Sequence, residues 1–195
     1  MAACFLITGI ICTLITVVTV IVSFATPNWV RFEQSTKPLC ECINCDCGLW
    51  LYCSSGGSST GSIDDCRWFF SREFLVEKKL PDWFKAVQGL MSGAVATSLL
   101  SLIIGLFSLC CRCKSCNPHR VAGAFIYLTF LLVAISVALF GAKSYMDYQI
   151  EVLADDTNME VHIFGWSFWV AVAAAGMALI SSIFYICVGN SDQYV

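Results

Sequence analysis

The chain has 195 residues, 58% of them hydrophobic and only 13% charged, with a formal net charge of -3. A soluble domain carries roughly 25% charged residues, so the composition excludes an ordinary water-soluble globule and points to a membrane. The charges are also clustered: residues 1–30, 86–111, 121–142 and 163–189 contain none.

A helix needs roughly 20 apolar residues to cross about 30 Å of hydrocarbon. Four segments satisfy this: 5–25, 86–109, 121–142 and 163–188. The first also offers Ser23 and Ala25 as small residues for signal cleavage. It lacks a basic n-region, however, and exceeds the roughly 7–15 apolar residues of a signal peptide, so it is read as a retained span. Cys12 within it is a small packing residue.

Residues 27–85 form a long loop of different character. Trp29-Val30-Arg31-Phe32, Leu49-Trp50-Leu51-Tyr52 and Arg67-Trp68-Phe69-Phe70 are short aromatic or β-branched runs, which predict strands. The Ser/Gly-rich stretch 54–62 between them has no periodicity and would not order on its own. Six of the thirteen cysteines lie in this loop: Cys40, Cys42, Cys45, Cys47, Cys53 and Cys66. An even number in an oxidising space predicts disulfides. The close spacing of Cys40, Cys42, Cys45 and Cys47 also admits a thiolate metal site, although structural zinc usually uses two knuckles separated by a longer insert. Six cysteines allow fifteen pairings, so spacing alone leaves connectivity open. Pro81 stands where the second helix would begin.

The loop 111–120 carries Arg112, Lys114 and Arg120, whereas the loop 143–162 carries one Lys against five acids. Short basic loops stay in the cytoplasm, which places both termini there, together with the tail 189–195. All six tryptophans fall in or beside the outer segments. Cys110, Cys111, Cys113, Cys116 and Cys187 sit near the inner boundary among basic residues. They are candidates for palmitoylation, in contact with anionic lipid. The terminal Tyr194-Val195 offers an apolar residue with a free carboxylate to a PDZ groove. Gly89 and Gly93, and Ala171, Ala173, Ala174, Ala175 and Gly176, are small residues at helix-packing spacing.

Trp29, the run Gly48-Leu49-Trp50, and then Cys53 and Cys66, all in the first loop of a four-span chain, resemble the signature of the claudins. More broadly they resemble the superfamily of peripheral myelin protein, the epithelial membrane proteins, the claudins and the calcium-channel gamma subunits. Pro27-Asn28-Trp29 resembles the claudin exit from the first span. Leu80-Pro81 followed by Ala86-Val87-Gln88-Gly89-Leu90-Met91 resembles the claudin approach to the second, with Gln88 where the family has arginine. Phe164-Gly165-Trp166-Ser167-Phe168 is closer to the gamma-subunit branch. The likeness implies a Cys53–Cys66 disulfide, which would contribute about 3 kcal/mol by closing the loop.

The resemblance implies an all-α membrane protein of one domain, 1–195: a four-transmembrane-helix bundle with a small extracellular antiparallel β-sheet to which both outer loops contribute strands. The implied function is that of a claudin-like protein of cell–cell junctions in the plasma membrane. It would polymerise with itself in cis and adhere in trans, forming a paracellular barrier or selective ion pore. Asp64 and Asp65 lie where claudin loop charges tune selectivity. The alternative is an auxiliary subunit that binds and traffics a channel or receptor. The spans hold no charge for an ion path or relay. With no Ser/His/Asp set, phosphate loop or paired carboxylates, neither enzymatic activity nor a cofactor is expected, and no nucleic-acid partner.

Overall fold

Each apolar run becomes a helix, and the helices outlast the runs. The computed structural model describes residues 2–35, 42–54, 66–68, 81–110, 117–152 and 164–191. Helix α1 spans Ala2–Ala25, α2 Asp82–Cys110, α3 Pro118–Val152 and α4 Trp166–Ser191. Within them, Phe5–Ala25, Asp82–Ser108, Pro118–Ser144 and Trp166–Gly189 are long and apolar enough to cross a membrane.

The two largest departures from the boundaries read off the charge pattern have one reason: a charge ends an apolar run but does not end a helix. Helix α2 starts at Asp82 rather than at residue 86, because the Pro81 carbonyl accepts from the amides of Phe84 (3.0 Å) and Lys85 (3.3 Å). An acid in that first turn also suits the helix dipole. Helix α3 continues past residue 142 into the expected second loop, as far as Val152. The stretch from Lys143 to Val152 contains neither Gly nor Pro, so nothing breaks the helix once hydrocarbon ends. At about 1.5 Å per residue, α3 far exceeds the roughly 30 Å it needs to cross.

The chain divides into two compact units. One comprises 1–21, 90–135 and 171–195, and contains parts of all four helices. Among its described residues every buried polar side chain is a Ser or Thr hydroxyl, whereas Ile7, Ile11, Leu14, Ile103, Phe107 and Ile183 are exposed. This inversion of a soluble protein is what lipid demands. Hydrocarbon is as apolar as any core, so helices associate through small residues and internally satisfied hydroxyls. Thr13, Thr16 and Thr19 each donate to the carbonyl four residues back, at 2.8–2.9 Å. Between helices, Ser101 donates to the Ala122 carbonyl (2.8 Å), and the Thr97 and Thr129 hydroxyls share a hydrogen bond (2.8 Å).

Tyr185, fully buried, is the pivot of this unit. It packs with Ala122, Ile126 and Ala178, flanked by Leu6, Ile10, Ile104 and Phe130. Glycines from three helices make room for it: Gly9, Gly105 and Gly123 all face its side chain. Gly93 packs against Leu132, whereas Gly89 and Gly176 have open space where a Cβ would be. Of the small residues expected to pack helices, these two therefore meet no neighbour there among the described residues.

The second unit, 22–89 and 136–170, carries the sheet. Strands β1 (Val30–Ser35), β2 (Cys42–Cys47), β3 (Leu51–Ser54) and β4 (Cys66–Trp68) pair antiparallel in sequence order. Three of them fall on the expected aromatic runs. Strand β2 falls on the cysteine-rich stretch, which carries no strand signal of its own, and is ordered by having a partner on both edges. All four come from the first loop. From beyond α3, Phe164 makes one antiparallel bridge with Val30.

Cys53 and Cys66 stand directly opposite each other across β3 and β4, and are joined by a disulfide across a sequence separation of 13. Closing a loop of that size stabilises by about 3 kcal/mol. Replacing both cysteines by serine is expected to lower the melting temperature of the purified protein by roughly 10 °C. An unchanged melting temperature would show that the staple is dispensable.

The tryptophan-anchored root of the sheet

Helix α1 ends at Ala25, leaving its last carbonyls without intrahelical partners. The chain satisfies them locally. The Val22 carbonyl accepts from the Thr26 amide (3.1 Å) and hydroxyl (2.7 Å). The Ser23 carbonyl accepts from the indole N–H of Trp29 at 2.7 Å. That bond turns the Trp29 ring back onto the helix end, where it is fully buried. Its backbone serves two further elements: its amide donates to the Cys47 carbonyl (3.1 Å), and its carbonyl accepts from the Gly165 amide (3.0 Å). Trp29 thus ties together the end of α1, strand β2 and the approach to α4.

The start of α4 has the complementary need, since its first amides lack acceptors. The Ser167 amide donates to the Asn28 carbonyl at 3.1 Å. The Ser167 hydroxyl pairs with that of Thr26 (2.7 Å), and Ser23 donates to the Ser167 carbonyl (2.9 Å).

Two glycines permit this proximity. A Cβ on Gly165 would strike the Asn28 carbonyl group, lying 2.8 Å from its carbon. A Cβ on Gly48 would strike the Thr26 carbonyl oxygen and lie 2.6 Å from the Pro27 Cα. The turn 26–28 is therefore gripped from both sides by backbone that tolerates no side chain.

The β2–β3 turn completes the root. The Gly48 amide donates to the Leu51 carbonyl at 2.8 Å. Leu49 is fully buried, and Trp50 packs on Phe24 with ring centroids 5.3 Å apart. On α2, Gln88 (7% exposed) donates through Nε2 to the Leu49 carbonyl at 2.6 Å.

Beneath lies an aromatic cluster centred on Phe140 of α3. Its ring meets Trp29 at 5.0 Å, Trp83 at 6.0 Å, Phe168 at 6.1 Å and Phe84 at 6.3 Å. Trp29 also meets Phe168 edge-on at 6.0 Å, and Phe164 stacks on Phe168 at 4.4 Å. Each such pair contributes about 0.5–1.5 kcal/mol beyond its buried area.

The structure thus brings Trp29, Gly48, Leu49 and Trp50 into one root, with the Cys53–Cys66 staple on the strands that leave it. Cys47, at the end of β2, is buried. Cys187 is exposed on α4. Cys42 and Cys45 lie on β2, and Cys110 closes α2, but their side chains lie outside the described residues. So do Cys40, Asp64, Asp65, Cys111, Cys113, Cys116, Tyr194 and Val195.

Sequence reasoning missed Phe140, Phe24 and the part played by Gln88. No local pattern distinguishes these from neighbouring span residues. Gln88 alone left a signal, as an amide amid apolar residues.

Taken one by one, curated proteins give no match to this chain. A family description does match, that of PMP-22/EMP/MP20/Claudin, and it runs over residues 2–185. Four membrane-length helices and a tryptophan-rooted, disulfide-stapled sheet accompany that near-complete match, and the chain belongs to the PMP-22/EMP/MP20/Claudin family.

Proposed function

We propose that this chain is a junctional tetraspan protein: it polymerises side by side in the plasma membrane and adheres to copies on the neighbouring cell, forming a paracellular barrier or selective pore. The observation that carries this reading is the root of the sheet. Trp29, Gly48, Gly165 and Gln88 fix the β2–β3 turn and the start of β1 through backbone bonds and a buried amide. A sheet held so firmly at its base and stapled at Cys53–Cys66 is preorganised, which favours binding between cells because preorganisation removes an ordering cost.

In this reading both termini and the loop 111–120 face the cytoplasm. Cys110, Cys111, Cys113, Cys116 and Cys187 are the acylation candidates there, and Tyr194-Val195 is the PDZ ligand. Asp64 and Asp65 give the extracellular loop a cation preference; exchanging both for lysine should shift paracellular permselectivity toward anions.

The test is localisation in cells without junctions, with the tag on the loop 111–120 so that the C-terminus stays free. Enrichment is expected only at contacts where both neighbours express the protein. Uniform surface staining would overturn the adhesive reading and favour the second one, an auxiliary subunit held by a channel or receptor in the same membrane. That second reading draws on Phe164-Gly165-Trp166-Ser167-Phe168, the gamma-like segment, which is engaged with Asn28, Trp29 and Val30.

A further inference from the structure

The Leu49 carbonyl sits in a turn, with its residue fully buried. Beside it, the neighbouring Gly48 amide is already committed to the Leu51 carbonyl. A buried carbonyl left without a donor is costly, and Gln88 brings one from α2 at 2.6 Å. The other polar ties of the root come from the backbone or side chains of α1, the turn after it and α4. Gln88 thus supplies a polar tie between α2 and the β2–β3 turn.

We propose that Gln88 is a positioning residue, setting the pose of the first-loop sheet on α2 and thereby the geometry of adhesion between cells. This rests on the junctional reading above. The fold itself is held elsewhere, by the Trp29 anchor, the Phe140 cluster and the disulfide. Losing the Gln88–Leu49 hydrogen bond leaves these intact while freeing the turn to shift.

The test compares the full-length wild type with Gln88→Leu, which fills the space without a donor, and Gln88→Arg, which restores one. Three readouts are taken in cells lacking junctions and on purified protein: surface abundance with Cys53–Cys66 oxidation, hydrogen exchange over residues 48–51, and enrichment at contacts. Gln88→Leu is expected at the surface at wild-type abundance with its disulfide formed, with exchange over 48–51 accelerated and contact enrichment reduced several-fold. Gln88→Arg is expected to restore both.

Unchanged exchange or undiminished enrichment in Gln88→Leu would overturn the proposal. So would its retention inside the cell, which would make Gln88 a folding determinant. If the wild type itself shows no contact enrichment, the junctional reading fails. Exchange over 48–51 then still decides whether the amide holds the turn.

Discussion

Replacing Trp29 by alanine is expected to be the most damaging single change at the sheet root. The side chain is fully buried and meets Phe140 and Phe168 edge-on. Emptying such a site costs about 3–5 kcal/mol, set against a total stability of about 5–15 kcal/mol for a typical domain. The loss also frees the Ser23 carbonyl at the end of α1, which then lacks its indole donor. The purified variant should melt on the order of 10 °C lower, and most of it should be retained inside the cell. Trp29→Phe separates the two contributions. It keeps a ring for the aromatic cluster but loses the N–H, so it should recover most of the stability while remaining about 1 kcal/mol below wild type. A Trp29→Ala protein that melts with the wild type would show that the signature tryptophan does not anchor the sheet.

The number and place of the spanning segments were legible in the sequence because the physics is one-dimensional: hydrocarbon excludes charge, and residues 1–30, 86–111, 121–142 and 163–189 contain none. Helix ends obey a different rule. Lys143 closes the apolar run, but Tyr145, Met146 and Gln149 sustain a helix in water as well as in lipid, so α3 continues to Val152. Strand β2 was illegible for a related reason. Cys42-Ile43-Asn44-Cys45-Asp46-Cys47 has little strand propensity, and its conformation is imposed by β1 and β3 on either side, where pairing outweighs propensity.

At the root, the signature residues Trp29 and Gly48-Leu49-Trp50 could be named from their pattern, but what they touch could not. Gly48 and Gly165 look like ordinary turn residues until the backbone against each is known. Phe140 looks like any lipid-facing aromatic until four rings are found around it. Such contacts join positions far apart in the chain, as Gly165 meets Asn28 and Phe140 meets Trp29, and only the folded chain reveals them.

Inside the helical unit, small residues hold the geometry, and Gly105 gives the sharpest test. A Cβ there would lie 2.5 Å from the Tyr185 hydroxyl oxygen but 3.5 Å from its Cζ, so the conflict is with the oxygen and hardly with the ring. That hydroxyl lies 3.5 Å from Thr13, whose own hydroxyl pairs with Ser181 at 2.7 Å, while Ser181 donates to the Gly9 carbonyl at 3.0 Å. Gly105→Ala therefore crowds the tyrosine against α1. Overpacking costs about 1–3 kcal/mol, offset by the 0.8–1.0 kcal/mol or so that alanine gains over glycine within a helix. Tyr185→Phe alone should cost about 1 kcal/mol for the lost hydroxyl contacts. Combined, the new methyl occupies the space the oxygen vacated, and the double variant should be more stable than the sum of the singles predicts by about 1–2 kcal/mol. Gly176→Ala, where a Cβ meets nothing, should be neutral or slightly stabilising. Thermal unfolding of the four-member cycle in detergent measures the coupling. Strict additivity would mean that Tyr185 yields freely at this level, and that shape matching around its hydroxyl does not set the helix spacing. A positive coupling would place that spacing under the control of a single oxygen atom, as expected where hydrocarbon supplies no hydrophobic drive and only close fit distinguishes one packing from another.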